Sequence, residues 1–451
     1  MMEFFVSLGS GTLPANIAML FRHILIGILS VVASTALAQS PADWLAPRKI
    51  DPQRAAAVGI REIASRYLRL VTDVPPSPAV DELPAVFDAA IPLWAEYFHV
   101  SRDKFENWQV QAFLIQDRAK FAALGLLPEQ NVEYVNGYAL GNEFWFDEQP
   151  SDYYRRHLLL HEGTHSFMLA FLGAGGPGWY MEGTAELFGT HRWHDSQLEL
   201  RIIPESREAV PMWGRIKLIR EAVKAGKALS LDEVLAISNR QALEVDAYAW
   251  CWALAKFLDS HPRYGKKFRK LPAQVKQTDF NERFRKLYHQ EWTGLQFEWQ
   301  AFLAALDYGY DTERMAVKHG AANPLEGTAS TTIAVNRGWQ QAPWLLRKGQ
   351  KYSLKSTGRY EIANDGKPWP CEPGGVTLRY HDGHPLGMLL GELRSKKKAG
   401  EFSQPLALGL QAMLTPEDDA VLYLRVNDSP AELSDNRGTL EVLIEPVSSA
   451  D

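Results

Sequence analysis

The most chemically informative part of the chain is the HEGTH run from His161 to His165. Residues four apart share one face of a helix, so His161 and His165 can present two imidazoles to a single cation. A catalytic zinc takes three protein ligands and keeps a fourth position for water, which makes Glu182 the natural third ligand. Glu162, beside the first histidine, can accept a proton from that water. The pattern predicts a hydrolytic zinc site with Glu162 as the general base.

The segment between the histidines and Glu182 predicts how the third ligand returns to the site. Sixteen residues separate His165 from Glu182, and residues 173–178 read GAGGPG. This glycine-rich composition favours a turn that ends one helix and lets a second helix run back. Three further histidines near the run are predicted not to bind the metal: His157, His191 and His194.

Residues 179–186 read WYMEGTAE and complete a recognisable pattern. With the HEGTH run they resemble the gluzincin metallopeptidases, the clan that includes thermolysin and the leucyl-type aminopeptidases. The WxxEGxAE variant is most similar to the bacterial peptidase MA-like families. The resemblance implies zinc bound by His161, His165 and Glu182, with Glu162 as base. It also implies that Glu186 orients the first histidine, since metal-bound histidines commonly donate their free N–H to a carboxylate.

A third segment, residues 248–258, resembles the gluzincin aminopeptidase helix that carries a catalytic tyrosine. Tyr248 falls on that tyrosine, whose hydroxyl stabilises the tetrahedral intermediate in the family. A phenol can donate a hydrogen bond to a developing oxyanion without carrying a charge, which suits this role. The alternative is that Tyr248 is an ordinary core residue.

The composition excludes some other classes of protein. The chain has 451 residues and a net charge of −6, so it has no general attraction for nucleic acid or anionic membranes. The two short basic clusters, at residues 266–270 and 396–398, are typical of solvated faces. Its length allows two or three domains.

The amino-terminal segment predicts a secreted or periplasmic protein. Arg22 precedes an apolar run from Ile24 to Ala33, and an A-x-A cleavage pattern follows at residues 36–38. We therefore expect residues 1–38 to be a signal peptide, with the mature chain starting at Gln39. Met19 is an alternative start of translation that leaves a signal of ordinary length. A retained anchor is the alternative, although the apolar run is shorter than a spanning helix needs, and no later segment is long enough.

The chain has two cysteines, so no disulfide framework holds the fold together. Cys251 lies in the apolar segment 248–258 and is expected to pack as a small hydrophobic side chain. An oxidising compartment would still permit a Cys251–Cys371 bridge between domains if the geometry allows one.

The remaining pattern predicts an α+β fold. Helical spacing at Ala55–Val71 and Ala79–Phe98 suggests an N-terminal helical region over residues 39–107. Strands are predicted at Val110–Ile115 and Glu143–Asp147, within a gluzincin-like domain over residues 108–315 that continues as a helical subdomain. The resemblance implies that an edge strand of this sheet, for which Asn142–Phe146 is the candidate, binds extended substrate backbone.

Beyond this domain the pattern changes. Residues 316–338 are rich in turn formers and read as a linker. Residues 339–448 contain short alternating runs, which indicate a β-sandwich. This tail resembles the jelly-roll lectins of the PA-I galactophilic type, and the resemblance implies carbohydrate as a further partner.

The most specific part of the lectin resemblance is the loop at residues 426–436. Asp428, Glu432, Asp435 and Asn436 fall on the side-chain ligand positions of the family's calcium site, and oxygen ligands suit calcium. Glu432 and Asp435 replace neutral residues of the lectin pattern. The alternative is a plain loop of turn-forming residues.

These observations lead to one main hypothesis and one alternative. The main hypothesis is a secreted zinc metallopeptidase that acts on peptides or proteins. Endopeptidase action is favoured because the chain lacks the GxMEN-type element with which aminopeptidases capture a substrate's terminal amine. The alternative is an inactive metallopeptidase-like protein that binds carbohydrate or a surface.

Overall fold

The computed structural model describes residues 48–128, 136–364, 368–395, 397 and 405–447. The expected signal peptide and its cleavage point lie outside these residues, as do Lys396 and Lys398 of the second basic cluster. Asp51–Asp451 forms one compact unit, with helices and strands in an α+β arrangement. All the elements below belong to this unit.

A five-stranded mixed sheet forms the first layer. Its strands are β1 (Arg61–Ala64), β2 (Leu68–Thr72), β3 (Val110–Ile115), β4 (Gly137–Leu140) and β5 (Glu143–Asp147). Their spatial order is β1-β2-β3-β5-β4, with β2, β3 and β5 parallel and the two outer strands antiparallel. Every residue of β3 is buried, as expected of an apolar strand covered on both faces.

The predicted helix Ala55–Val71 is wrong over most of its length. A short helix, α1 (Pro52–Ala57), ends before Gly59, which has a φ of 80°. The chain then forms the β1–β2 hairpin, and β2 buries Leu68 and Leu70 beside β3. Because pairing with the apolar β3 outweighs the weak helical spacing, the region predicted as helical also supplies two strands.

The prediction that Asn142–Phe146 is an edge strand is also wrong, because the edge is formed by the neighbouring strand. β5 pairs with β3 on one side and with β4 on the other, so it lies inside the sheet. Asn142 is in the turn between β4 and β5, where its side-chain oxygen accepts a hydrogen bond from Trp108 Nε1 at 2.9 Å. The edge is therefore β4, a short and half-exposed strand.

Helices cover the sheet and continue beyond it. They are α2 (Pro78–Asp81), α3 (Leu83–Phe98), α4 (Arg102–Phe105), α5 (Arg118–Ala123), α6 (Asp152–Phe167), α7 (Gly178–Gly189), α8 (Arg215–Lys224), α9 (Leu231–Leu235), α10 (Val245–Ser260), α11 (Gly265–Phe268), α12 (Phe280–Leu287), α13 (Trp292–Ala305) and α14 (Thr312–Met315). A hairpin of β6 (His191–His194) and β7 (Gln197–Leu200) follows α7. One apolar core runs through this whole part of the chain.

Two glycines set how closely the central helices pack. A Cβ at Gly163 of α6 would lie 2.6 Å from the Phe87 ring, so α3 rests directly against α6. A Cβ at Gly183 of α7 would lie 2.5 Å from the carbonyl oxygen of Cys251 on α10. The glycine of the WxxEG segment thus lets α7 and α10 approach backbone to backbone, which fixes Glu182 relative to Tyr248.

The C-terminal part is a β-sandwich. The strands are β8 (Asn323–Pro324), β9 (Ala329–Ala334), β10 (Gln340–Leu346), β11 (Tyr352–Thr357), β12 (Tyr360–Asn364), β13 (Pro368–Cys371), β14 (Val376–His381), β15 (His384–Leu386), β16 (Leu389–Arg394), β17 (Leu406–Ala407), β18 (Gln411–Leu414), β19 (Ala420–Val426) and β20 (Thr439–Pro446). One sheet has the order β17-β16-β19-β10-β8 and the other β18-β11-β20-β9. Their inward side chains share one apolar core.

The predicted linker is not a free connection. β8 pairs with β10 in one sheet, and β9 pairs along its whole length with β20 in the other. Residues 329–333 alternate between more exposed and more buried positions, which is the period of a half-buried strand. The segment 316–338 is thus built into both sheets, and its turn-forming residues only bound short strands.

The helical part packs directly against the sandwich. Phe297 of α13 meets Tyr423 of β19 with ring centroids 4.8 Å apart, and Trp339 and Leu390 complete this cluster. Cys251 and Cys371 are both buried and free, so the permitted bridge does not form. No helix in the described part of the chain combines the length and apolar composition needed to cross a bilayer.

Candidate metal centre

The HEGTH run lies in the C-terminal half of α6. Ser151 caps this helix by accepting a hydrogen bond from the Tyr154 N–H at 3.2 Å. A π-helical turn at Met168–Leu172 follows, and Gly173, with a φ of 73°, ends it. α7 then begins at Gly178, as the glycine-rich composition predicts. The helix–turn–helix arrangement brings Glu182 back to the histidines.

Three side-chain atoms converge between the two helices. His161 Nε2 lies 3.1 Å from His165 Nε2 and 3.2 Å from Glu182 Oε2. His165 Nε2 lies 3.3 Å from the same carboxylate oxygen. The predicted ligands therefore form a nearly equilateral triangle. Within the described residues, they are one of two overlapping groups whose ligand atoms are close enough to share an ion.

The size of this triangle fits zinc. Three atoms about 3.2 Å apart lie roughly 1.9 Å from their common centre, a spacing that zinc–nitrogen and zinc–oxygen bonds of about 2.0–2.1 Å would match. Glu182 Oε2 is buried and faces the two imidazole nitrogens at 3.2 and 3.3 Å, and a cation between the three atoms would offset the cost of burying this carboxylate. The donor set of two imidazoles and one carboxylate is also typical of zinc.

Glu186 connects to the first histidine from the side away from the triangle. Its Oε1 lies 3.4 Å from His161 Nδ1 and 3.4 Å from His157 Nε2. Arg215 of α8 donates hydrogen bonds to both oxygens of the same carboxylate, from Nε to Oε2 at 2.9 Å and from Nη2 to Oε1 at 2.8 Å. Burial alone would raise the pKa of Glu186, but Arg215 and His157 outweigh it and hold this pKa well below its ordinary value. Glu186 is therefore a fixed anion that can orient His161.

Glu162 lies against the edge of the sheet. A Cβ at Gly137 of β4 would be 2.2 Å from Glu162 Oε1, so the carboxylate in its present position occupies the space that a larger residue at this position would need. Burial raises the pKa of Glu162, although His161 and His165 oppose that effect. A carboxylate with a raised pKa is a better proton acceptor at neutral pH than an exposed one. The side chain therefore has the surroundings expected of a general base.

Tyr248 lies across the site on α10. Its ring meets that of His161 edge to face, with centroids 5.8 Å apart, and the guanidinium of Arg215 is 5.6 Å from its centroid. Burial raises the pKa of Tyr248, and the surrounding glutamates raise it further. The phenol is therefore protonated at neutral pH and can act as a hydrogen-bond donor.

These groups line one small cleft of about 150 Å³. One wall is the edge strand from Gly137 to Ala139, and the polar floor consists of the triangle, Glu162 and Tyr248. The remaining wall is apolar and consists of Met168, Leu169, Met181 and Leu243. The volume is sufficient for one side chain beside the reacting groups, and longer ligands would have to extend along β4.

Three contributors to the site were missed in the sequence. Arg215 lies far along the chain in a basic, amphipathic helix, where nothing marks it as buried. His157 is predicted not to bind the metal. In the structure its Nε2 lies 3.4 Å from Glu186 Oε1, and its Nδ1 lies 2.9 Å from the Gly189 carbonyl oxygen. Gly137 lies in β4, a strand that the sequence analysis does not predict. Residues 137–141 read GYALG, and this short run between two glycines is the signal that could have identified the edge strand.

The structure brings together only some of the four predicted calcium ligands. Asp428 and Asn436 are buried together, with Asn436 Nδ2 donating to Asp428 Oδ2 at 2.9 Å. Burial raises the pKa of Asp428 to about 6. The Glu432 side chain instead pairs with Arg379 at 2.5 Å, and Asp435 does not form a group of three acidic ligands with the others in the described residues. Calcium binding at this loop stays a prediction.

Comparisons with known proteins add little to this geometry. No protein-family model matches the chain, and no curated protein sequence matches it. Among solved structures, it is similar to one described as "EclA N-terminal domain; PllA-like lectin", with a TM-score of 0.21 and 13% sequence identity. That match covers 26% of this chain and 95% of the other. Such a low score establishes neither a shared fold nor a shared function.

Proposed function

We propose that this protein is a zinc-dependent metallopeptidase of the gluzincin type, secreted or periplasmic, that hydrolyses peptide bonds. The observation that carries the proposal is the triangle of His161, His165 and Glu182, whose sides of 3.1–3.3 Å suit one zinc ion. Glu162 and Tyr248 flank the triangle in one cleft. A ligand triangle, a buried base and a phenol donor together are the parts that hydrolysis of an amide needs.

The edge strand supports a peptide as substrate. β4 pairs with β5 along one edge, and its other edge borders the cleft at Gly137–Ala139. An extended peptide can add to such an edge through main-chain hydrogen bonds, which give affinity with limited sequence preference. This arrangement would carry the scissile carbonyl past the triangle.

Each group of the site would then have its own role in the hydrolysis of the peptide bond. A zinc ion held by His161, His165 and Glu182 would supply a Lewis acid for the scissile carbonyl and would lower the pKa of a water molecule. Glu162 accepts the proton of the attacking water and can return it to the leaving amine. Tyr248 donates its O–H to the oxygen on which negative charge develops. Glu186, held by Arg215, keeps the His161 ring in the orientation that points Nε2 toward His165 and Glu182.

The proposal is tested with the full-length protein and one matched pair of variants. Elemental analysis should find about one zinc per chain, and digestion of peptide mixtures should stop when a chelator is added. Glu162→Gln should keep the zinc and lose at least ~100-fold in turnover, the usual scale for a general base. Glu199→Gln, an exposed carboxylate on the β6–β7 hairpin, is the control and should be unchanged.

Three results would count against the proposal or one of its parts. A protein that binds no zinc would contradict the metal site. A protein that binds zinc but hydrolyses no peptide would favour the alternative, an inactive metallopeptidase-like protein that binds carbohydrate or a surface. Undiminished hydrolysis by Glu162→Gln would exclude this residue as the base.

A further inference from the structure

A separate cavity of about 480 Å³ lies between the helical part and the outer face of the sandwich. Its roof is formed by α13 and the end of α8, and its floor by β16 and β19. Successive side chains of a strand point to opposite faces, so Leu390, Glu392 and Arg394 share this face of β16, as does Arg425 of the neighbouring β19. None of these residues belongs to the candidate metal centre.

Arg425 is the unusual member of this floor. It lies on the central strand of its sheet with 7% of its surface exposed. Its Nη2 donates to the Asp428 carbonyl oxygen at 3.1 Å, and its Nε donates to Val426 at 3.4 Å. It forms no ion pair with a carboxylate in the described part of the chain. A buried guanidinium without a counter-ion is costly, and here it lines an open space.

Three acidic groups surround Arg425, and each has another partner. Asp382, which lines the same cavity, lies 3.3 Å from His381 Nε2. Glu392 pairs with Arg394 at 2.8 Å, and the Arg394 guanidinium also lies 4.1 Å from the centroid of the Phe297 ring. Asp428 is held by Asn436 and by the Ser429 N–H. The cavity is lined by two arginines. Arg394 is paired with Glu392, whereas Arg425 has no paired carboxylate among the described residues. Its guanidinium lies 5.5 Å from the Trp339 ring centroid, which holds it in place.

A second cavity of about 540 Å³ continues the first, since both are lined by Val223, Ala304, Ala305 and Asp382. Its lining includes four basic side chains, Arg207, Lys217, Arg220 and Lys224, against three acidic ones. Arg220 pairs with Asp307, and Lys217 lies 3.7 Å from Glu221. The excess of positive charge at this approach favours an anion on its way to Arg425.

We propose that this cavity binds a small organic carboxylate, with the carboxylate on Arg425 and the rest of the molecule against Phe297 and Trp339. A guanidinium binds a carboxylate with two parallel hydrogen bonds, which gives both energy and orientation. The volume is that of a site for a small molecule. An acidic sugar and the C-terminal carboxylate of a short peptide share this chemistry. The proposal stands whether or not the metal centre is a peptidase.

The test is calorimetric titration of the full-length protein with EDTA present, so that neither predicted metal site contributes. Galacturonate is compared with galactose, and acetyl-dialanine with its amide, while inorganic phosphate is a third arm. At least one carboxylate should bind at millimolar concentration or tighter and about 10-fold better than its neutral partner. Which of the two binds identifies the source. Binding of phosphate alone, equal binding of a neutral partner, or no binding would overturn the proposal.

Two variants locate the site. Arg425→Met should weaken the carboxylate by about 10- to 100-fold, the scale of a lost charge-assisted contact. Arg347→Met, an exposed arginine of the same sandwich that pairs with Asp419, should bind normally. Ala304→Phe fills the cavity from α13 while leaving Arg425 in place, and it should also lose binding. Unaltered binding in Ala304→Phe would overturn the assignment, even if Arg425→Met does not fold.

Discussion

Arg215 holds both carboxylate oxygens of Glu186, with Nε 2.9 Å from Oε2 and Nη2 2.8 Å from Oε1. The same guanidinium lies beside the Tyr248 ring, so one residue of α8 touches both the group that orients His161 and the proposed oxyanion donor. Partners of this kind commonly change metal affinity by 10- to 100-fold when they are lost. Arg215 is therefore a positioning residue of the candidate centre.

The first prediction concerns this arginine. Arg215→Met should weaken zinc binding by about 10- to 100-fold, because Glu186 would lose its counter-ion and no longer fix the His161 ring. Competition with a zinc chelator of known affinity measures the change. Arg192→Met, which removes an exposed arginine of the β6–β7 hairpin, is the control. Equal affinity in the two variants would mean that Arg215 only stabilises the fold.

The second prediction concerns the edge strand. Gly137→Ala would place a Cβ 2.2 Å from Glu162 Oε1, so the carboxylate must move or the strand must shift. We expect turnover to fall by at least ~10-fold while zinc content stays normal, because a displaced base transfers protons poorly. Gly320→Ala, where a Cβ would meet nothing within 4 Å, is the matched control. Loss of zinc in Gly137→Ala would instead indicate a wider collapse of the site.

The third prediction concerns the phenol. Tyr248→Phe removes one hydroxyl and leaves the ring beside His161, so zinc affinity should not change. The expected effect is a loss in kcat of roughly 10- to 1,000-fold, the range for one transition-state donor. Steady-state kinetics on a peptide identified by the digest separates kcat from KM. If only the unfolding temperature changes, Tyr248 is a core residue, as the alternative interpretation of the sequence has it.

The fourth prediction concerns acid stability at the joint between the two parts of the unit. Glu298 of α13 is buried against His261, Tyr264 and His319, with distances of 2.6 to 2.9 Å. Burial raises its pKa, but the hydrogen bonds from His261 and His319 prevail and lower the pKa to about 2. A depressed carboxylate pKa stabilises the fold above the unfolded pKa of about 4.3, and the contribution disappears as the pH falls toward 2.

Glu298→Gln should therefore lose about 3 kcal/mol of unfolding free energy at pH 7 and much less near pH 2 to 3. Urea unfolding at both pH values measures the difference. Glu282→Gln, an exposed carboxylate on α12, should match the unmodified protein throughout. A constant deficit at every pH would show that packing, and not the charge of Glu298, is what the substitution removes.

The sequence predicted which side chains lie together in the candidate centre better than it predicted the elements around them, for physical reasons. His161, His165 and Glu182 obey local rules, because helical periodicity and a glycine-rich turn decide which way they face. Arg215 and His157 act through burial, which depends on how α8 and α6 pack. The β1–β2 hairpin was missed because Leu68–Thr72 becomes a strand only beside β3. The resemblance implies an edge strand without fixing which strand it is, and the true edge strand, β4, is a short, half-exposed strand beside the strongly apolar β5.

The pairing of β9 with β20 limits how this chain can be divided. A cut near residue 338 would remove β9 and leave β20 paired only with β11, so six residues of β20 backbone, from Thr439 to Ile444, would lose their partners along one side. Open strand edges of this kind join with other copies and aggregate. A soluble, separately expressed sandwich would need to begin before Asn323. The sandwich therefore cannot be transferred to another protein as a fragment that starts near residue 338. A grafted domain must include the preceding strands β8 and β9.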